Sequence, residues 1–193
     1  MGKFFYKRME FYTPDDVYQP REDSLLLAEV LEKESLEGKT VLDVGTGSGL
    51  LAAIAANSGA VVSAVDISER AVEVAKKNFE LNKVQVRCVK SNMFEKVLSS
   101  FDLIIFNAPY LPEEVKADNK AWAAGDDLVI IRNFIDMAKE HLKKNGKALL
   151  LVSTLTGLEK VYEMLNKNKY EFQIVAGQKI PWENLVVIEC RPM

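Results

Sequence analysis

Between Asp43 and Asp66 the chain runs for 22 residues without a charge, although 27% of its 193 residues are Asp, Glu, Lys or Arg. A run of that length is long enough to cross a bilayer. Its content points elsewhere, because Gly45, Gly47, Gly49 and Gly59 are interleaved with Thr46, Ser48, Asn57, Ser58 and Ser63. It reads instead as a strand, a glycine loop, an Ala/Leu-rich helix and a second strand. Glycines there let the backbone turn sharply and approach a ligand, and the following helix offers free N–H groups. The dinucleotide fingerprint GxGxxG is not met, since Leu50 stands where its third glycine belongs. Asp43 precedes the loop by two positions, and Asp66 ends the next strand 21 residues after Gly45. Two carboxylates in a β–loop–α–β setting favour a nucleoside-containing ligand, with Asp66 placed to hold both ribose hydroxyls.

Beyond this run the pattern keeps alternating. Apolar or β-branched stretches at 40–44, 60–65, 84–89, 102–106 and 147–152 predict strands, and helical spacing is found at about 22–33, 48–57, 68–81, 127–144 and 156–167. Ser68 before Glu69 is an N-cap with an acidic first turn, and Asp23/Ser24 suit the start of the first helix. Asn145-Gly146 is expected to end the fourth helix, with Lys143 and Lys144 at its negative end and His141 as a solvated dipole partner there. Segments 171–176 and 184–190 are expected to pair as antiparallel strands through a connection containing Gly177 and Pro181. The fold class is therefore α/β: a Rossmann-like, seven-stranded, mostly parallel sheet with one antiparallel strand and helices on both faces. The chain is expected to form one domain over 1–193, with an N-terminal arm and helix over 1–36 and the core over 37–193.

Composition narrows the function classes. Ordinary glycine and proline contents with 48% apolar residues exclude disordered and fibrous chains. A net charge of −3 disfavours a dedicated nucleic-acid scaffold. Cys88 and Cys190 lie far apart with no Cys/His clustering, so no metal site is expected. The amino terminus carries no apolar signal segment, and a reducing cytoplasm is the expected compartment.

At the strand–glycine-loop motif and Asp66 the sequence resembles the class I S-adenosylmethionine-dependent methyltransferases. That resemblance implies that Asp43, Gly45 and Gly47 hold the methionine part and that Asp66 binds the ribose. A negative pocket also suits a cationic sulfonium. Ser91-Asn92-Met93-Phe94 falls where the family usually has an acid that accepts from the adenine amino group. Asn92 can accept that bond without a charge, aided by the Met93 backbone.

Asn107-Ala108-Pro109-Tyr110 follows the fourth strand and resembles the Asn-Pro-Pro-Tyr motif, used to methylate nitrogen conjugated to a π system. Such a nitrogen is a poor nucleophile because its lone pair is delocalised. The Asn107 side-chain oxygen and the Ala108 carbonyl would accept its two hydrogens and raise its electron density as the methyl arrives. Pro109 would stiffen the turn, and Tyr110 would stack on the planar group. Ala108 replaces the usual first proline but keeps the carbonyl.

Val17-Tyr18-Gln19-Pro20-Arg21-Glu22-Asp23-Ser24 is similar to the Tyr-Glu-Pro-x-Glu-Asp-Thr segment of the archaeal and eukaryotic branch of HemK-type glutamine methyltransferases. There the residue at the place of Ser24 touches the cofactor. Ala121-Trp122-Ala123-Ala124-Gly125 resembles a further stretch of that branch. The resemblance implies methylation of the glutamine in the Gly-Gly-Gln motif of a translation release factor. The segment before the first core strand, about forty residues, is too short for the docking domain of the bacterial members. A small zinc-binding activator is implied instead, docking at the third strand, Val84–Val89, at the sheet edge. Two alternatives stay open: a nucleic-acid adenine amino-group methyltransferase, and a catalytically silent cofactor-binding subunit.

Overall fold

The computed structural model describes residues 2–109 and 127–193. Tyr110 and the Ala121–Gly125 stretch lie outside the described residues. A hairpin of β1 (Gly2–Tyr6) and β2 (Met9–Thr13) precedes α1 (Glu22–Leu31). Then come β3 (Thr40–Val44), α2 (Leu50–Asn57), β4 (Val61–Asp66), α3 (Glu69–Leu81), β5 (Val86–Lys90) and β6 (Phe101–Asn107). The chain closes with α4 (Asp127–Ala138), β7 (Leu142–Ser153), α5 (Leu158–Lys167), β8 (Tyr170–Ile180) and β9 (Glu183–Pro192). No helix among the described residues is long and apolar enough to cross a membrane.

Seven strands form one sheet in the order β5-β4-β3-β6-β7-β9-β8. Only β9 runs against the rest, pairing antiparallel with both β7 and β8. Alternation along β3 explains the layering: Val41 joins the apolar cluster that holds α1, α2 and α3, whereas Leu42 and Val44 join the one that holds α4 and α5. The chain leaves β3 toward β4 and β5 on one side and returns to β6 on the other. That reversal opens a crevice above the carboxyl ends of β3 and β6, the place where open α/β sheets bind ligands.

The N-terminal arm is a hairpin fastened to α3 by two asparagines one turn apart. Asn78 and Asn82 each accept from and donate to the backbone of β2, at Tyr12 and Glu10, at 2.7–3.1 Å. Their amides thus take the part of a neighbouring strand.

Several local expectations are corrected. The fourth helix stops at Ala138 rather than near 144; a 3-10 turn follows over Lys139–His141, and β7 starts at Leu142. The buried positions Ile131, Phe134, Ile135, Ala138 and Leu142 continue a helical spacing, so the sequence hides the break. Lys143 does not serve a helix end but donates to Asp102 at 2.8 Å, and Phe101 pairs with Leu142 while Leu103 pairs with Lys147, so residues 143–146 bulge out of register. His141 stacks on Phe94 with ring centroids 4.7 Å apart, at the amino end of β7 and away from the ligand crevice. Asp23 and Ser24 lie inside the first turn of α1, whose N-cap is Arg21. Gly177 belongs to β8, and the turn to β9 is made at Pro181-Trp182.

Candidate active site

The loop after β3 is shaped by glycine at two positions for different reasons. Gly49 sits at φ +83° where an added Cβ would meet the Phe79 ring at 2.7 Å, so it permits close packing of α2 on α3. Gly47, at φ +54°, has nothing among the described residues nearer than the Gly45 carbonyl at 4.0 Å, so its bare side faces open space above the loop. One glycine therefore serves the fold and the other leaves room for a ligand.

Asp43 breaks the apolar alternation of β3 as a carboxylate only 1% exposed. Its Oδ2 accepts from the Thr46 hydroxyl at 2.6 Å. Burial pushes its pKa up to about 7, against the opposing hydrogen bonds of Thr46 and the Ala52 backbone. Asp66, at the end of β4, is also raised by burial, although its oxygens accept from the backbone N–H groups of Gly47 and Ser68, each at 2.9 Å. Those bonds tie the glycine loop to the tip of β4 and leave further lone pairs on the carboxylate for a ligand's hydroxyls. Both acids would be relieved by a cation or by donors from a ligand.

The end of β5 meets the same rim, because Ser91 N donates to the Asp66 carbonyl at 2.9 Å. Asn92 is exposed, and its Nδ2 donates to Glu95 at 2.9 Å, which leaves its oxygen as the accepting end. Met93 takes a left-handed φ of +48°, uncommon for a residue with a Cβ, and its carbonyl accepts from the Ser91 hydroxyl at 3.1 Å.

Asn107 closes β6 across the crevice. Its Nδ2 donates to Asp23 Oδ2 at 3.1 Å and to Ser24 Oγ at 3.3 Å, while its Oδ1 is buried with no partner among the described residues. Buried polar atoms are nearly always paired, so an orphaned acceptor here marks a place for an incoming donor. Ala108 is buried, and its N–H donates to the Leu151 carbonyl at 3.3 Å, which holds the start of the loop against β7. Pro109 is half-buried beside it.

Ser24 and Asn107 are thus in contact, Gly47 and Asp66 are in contact, and Asp43, Gly45, Asn92 and Met93 stand along the same carboxyl rim of the sheet. Sequence reasoning treated Asp23 as a helix-cap residue and missed its bond to Asn107. No local signal could have found it, because the pair is separated by 84 positions.

Residues 19–180 match the family model of the methyltransferase small domain. A protein of Methanocaldococcus jannaschii, provisionally named a protein N5-glutamine methyltransferase, is 39% identical over 180 residues, 90% of each chain. The release factor glutamine methyltransferase of Lactococcus lactis is 31% identical over 169 residues, which cover 79% of this chain and 62% of that protein. Among solved structures, the E. cuniculi Mtq2–Trm112 complex, responsible for methylation of the termination factor eRF1, contains a similar chain. The TM-score is 0.75 at 27% identity, over 92% of this chain and 99% of that one.

Proposed function

The chain belongs to the methyltransferase small domain family, and from that premise we propose that it transfers a methyl group from S-adenosylmethionine to the glutamine side-chain amide in the Gly-Gly-Gln motif of a translation release factor. The observation that carries this reading is the Asn107 oxygen, buried and unpaired at the crevice where an amide NH2 would need an acceptor. The relatives named for glutamine methylation support the substrate class.

The residues present fit the cofactor. Gly47 leaves its side of the loop open, Asp66 keeps lone pairs for ribose hydroxyls, and the buried Asp43 would be stabilised in its charged form by a cation. When bound, the cofactor supplies a methyl group on a positive sulfur. Asp43 and the Gly45–Gly47 backbone would hold the methionine part, Asn92 and the Met93 backbone the adenine, and Ser24 would close the site from α1. Asn107 Oδ1 and the Ala108 carbonyl would accept hydrogen bonds from the two amide N–H groups and so orient the nitrogen toward the methyl group. With the nitrogen so held, transfer would leave a secondary amide, and one amide hydrogen would pass to water as a proton. Pro109 would stiffen the turn, and Tyr110 would stack on the amide plane.

Residues 1–193 act as one catalytic unit in this reading, supported by the packing of Phe11, α1 and the core strands in a single apolar cluster. The chain works in the cytoplasm, where release factors act. A small zinc-binding activator covers the β5 edge. Support comes from the two-chain makeup of the Mtq2–Trm112 structure, from the place of β5 as an outer strand, and from Leu98, 98% exposed beside Arg87 and Val89. Full activity and solubility of the isolated chain as a monomer would remove the need for it.

The test is transfer of tritiated methyl, with activator, to release factor, to its Gln→Ala variant, to oligonucleotides and to tRNA. Label on wild-type factor alone is expected, lost in Asn107→Ala with cofactor binding largely kept. Label on the Gln→Ala factor, or on nucleic acid only, would overturn the reading. Absence of transfer to any substrate would favour a silent subunit.

A further inference from the structure

Asn107 carries two chemically opposite ends on one planar group, and the reading above requires the oxygen to face the substrate. Rotation of the amide by half a turn would present NH2 to NH2 and abolish the acceptor. The determinant of that choice lies behind it. Asp23, 2% exposed in the first turn of α1, sets its Oδ2 at 3.1 Å from Asn107 Nδ2. An ionised carboxylate accepts and never donates, so only the NH2 end of Asn107 can face it; the flipped amide would set oxygen against oxygen.

Asp23 is itself held on every side. Its Oδ2 also accepts from the Tyr18 hydroxyl at 2.7 Å, and its Oδ1 accepts from Ser24 N at 2.6 Å and Ser24 Oγ at 3.2 Å. A carboxylate so anchored has little freedom to turn away, and its charge polarises the Asn107 amide, raising electron density on the forward oxygen. We infer that Asp23 is a positioning residue: it selects the orientation of the Asn107 amide and thereby directs the acceptor at the substrate nitrogen. The inference rests on the glutamine-amide reading for its kinetic consequence but not for its structural one.

Asp23→Asn in the full chain with its activator is the discriminating variant, because an Asn at this position can face Asn107 with either end. The expected result is a kcat lower by about 10²-fold, the scale of losing one oriented donor or acceptor in a transition state. KM for the release factor and cofactor affinity should stay within about twofold, since ground-state contacts are untouched. Asp23→Glu keeps an acceptor-only end and should recover part of the lost kcat. A purely structural role would instead lower Tm and cofactor affinity along with kcat, with no better activity for Glu than for Asn, and would overturn the inference.

A second readout does not need turnover. In the wild-type chain the Asn107 side-chain NH2 resonances, identified by their loss in Asn107→Asp, should exchange slowly with solvent. They should shift and exchange faster in Asp23→Asn. Fast exchange in the wild-type chain would sink the proposal even if the variants failed to fold. Slow exchange in wild type with no methyl transfer to any substrate would fault the glutamine reading and leave the Asp23–Asn107 pair standing.

Discussion

A carboxylate in the middle of a buried strand face is an unfavourable element of a fold unless something compensates it. Asp43 has the Thr46 hydroxyl and the Ala52 N–H, yet burial still holds its pKa at about 7 rather than near 3.8. In the cofactor-free chain the sign follows directly. Between the unfolded and folded values the folded state keeps a proton that the unfolded state has lost, so this group's contribution to stability falls as pH rises from about 4 to 7. Ionisation in the same window is what a cationic ligand would reward. We therefore expect Asp43→Asn to raise the melting temperature of the cofactor-free chain at pH 8 and to leave it nearly unchanged below pH 4. Cofactor affinity, measured by calorimetry, should weaken by about 10- to 100-fold, the scale of a charge-assisted hydrogen bond. In the wild-type chain that affinity should strengthen as pH passes upward through about 7. A stabilised variant that binds as tightly as wild type would show that Asp43 serves neither purpose.

At the scale of elements, the strand–loop–helix after β3 was readable because everything that defines it is local: β-branched residues, then glycines, then a run of Ala and Leu. What spacing alone could not separate were the duties of the glycines. Gly47→Ala meets open space and adds only the left-handed penalty, about 1–2 kcal/mol, so it should fold and lose cofactor binding. Gly49→Ala drives a methyl into Phe79 and Ala75 at the same unfavourable φ, and should lower stability by about 2–4 kcal/mol in urea titrations. Equal losses of stability in the two variants would refute the division. The end of α4 was not legible for the converse reason. Its apolar positions stay in helical phase through Leu142, and only pairing of Leu142 with Phe101 draws that residue into the sheet. Strand pairing is a long-range contact, and periodicity carries no information about it.

At the scale of the molecule, the sheet brings distant charges together where neither neighbourhood announces them. Lys147 on β7 donates at 2.7 Å both to Glu34, after α1, and to Glu189 on β9. Burial raises the Glu189 carboxyl, but Lys147 and Arg191 outweigh it and hold the pKa below the usual value. This stabilisation is complete above about pH 4.5 and is lost as pH falls through the lowered value. Lys147→Ala leaves two acids near one another, with Arg191 and Gln173 still bonded to Glu189, and should cost about 2 kcal/mol at pH 7. The deficit should shrink on acidification in denaturation curves taken from pH 7 to pH 3. A pH-independent deficit would mean that the stem of Lys147, not its charge, is what matters.

The sequence by itself determined the α/β class, the glycine loop with its two bounding acids, and the place of Asn107 at a strand's end. Each rests on residues within a few positions of one another, where backbone propensity and spacing act directly. Only the tertiary structure decided that β9 inserts between β7 and β8, that the fourth helix yields to a strand at Leu142, and that Asp23 stands behind Asn107. Those outcomes depend on side chains meeting across 84 positions or on strands competing for partners. Such contacts exist only once the sheet has formed, and at Asn107 one of them sets which atom of the amide faces the crevice.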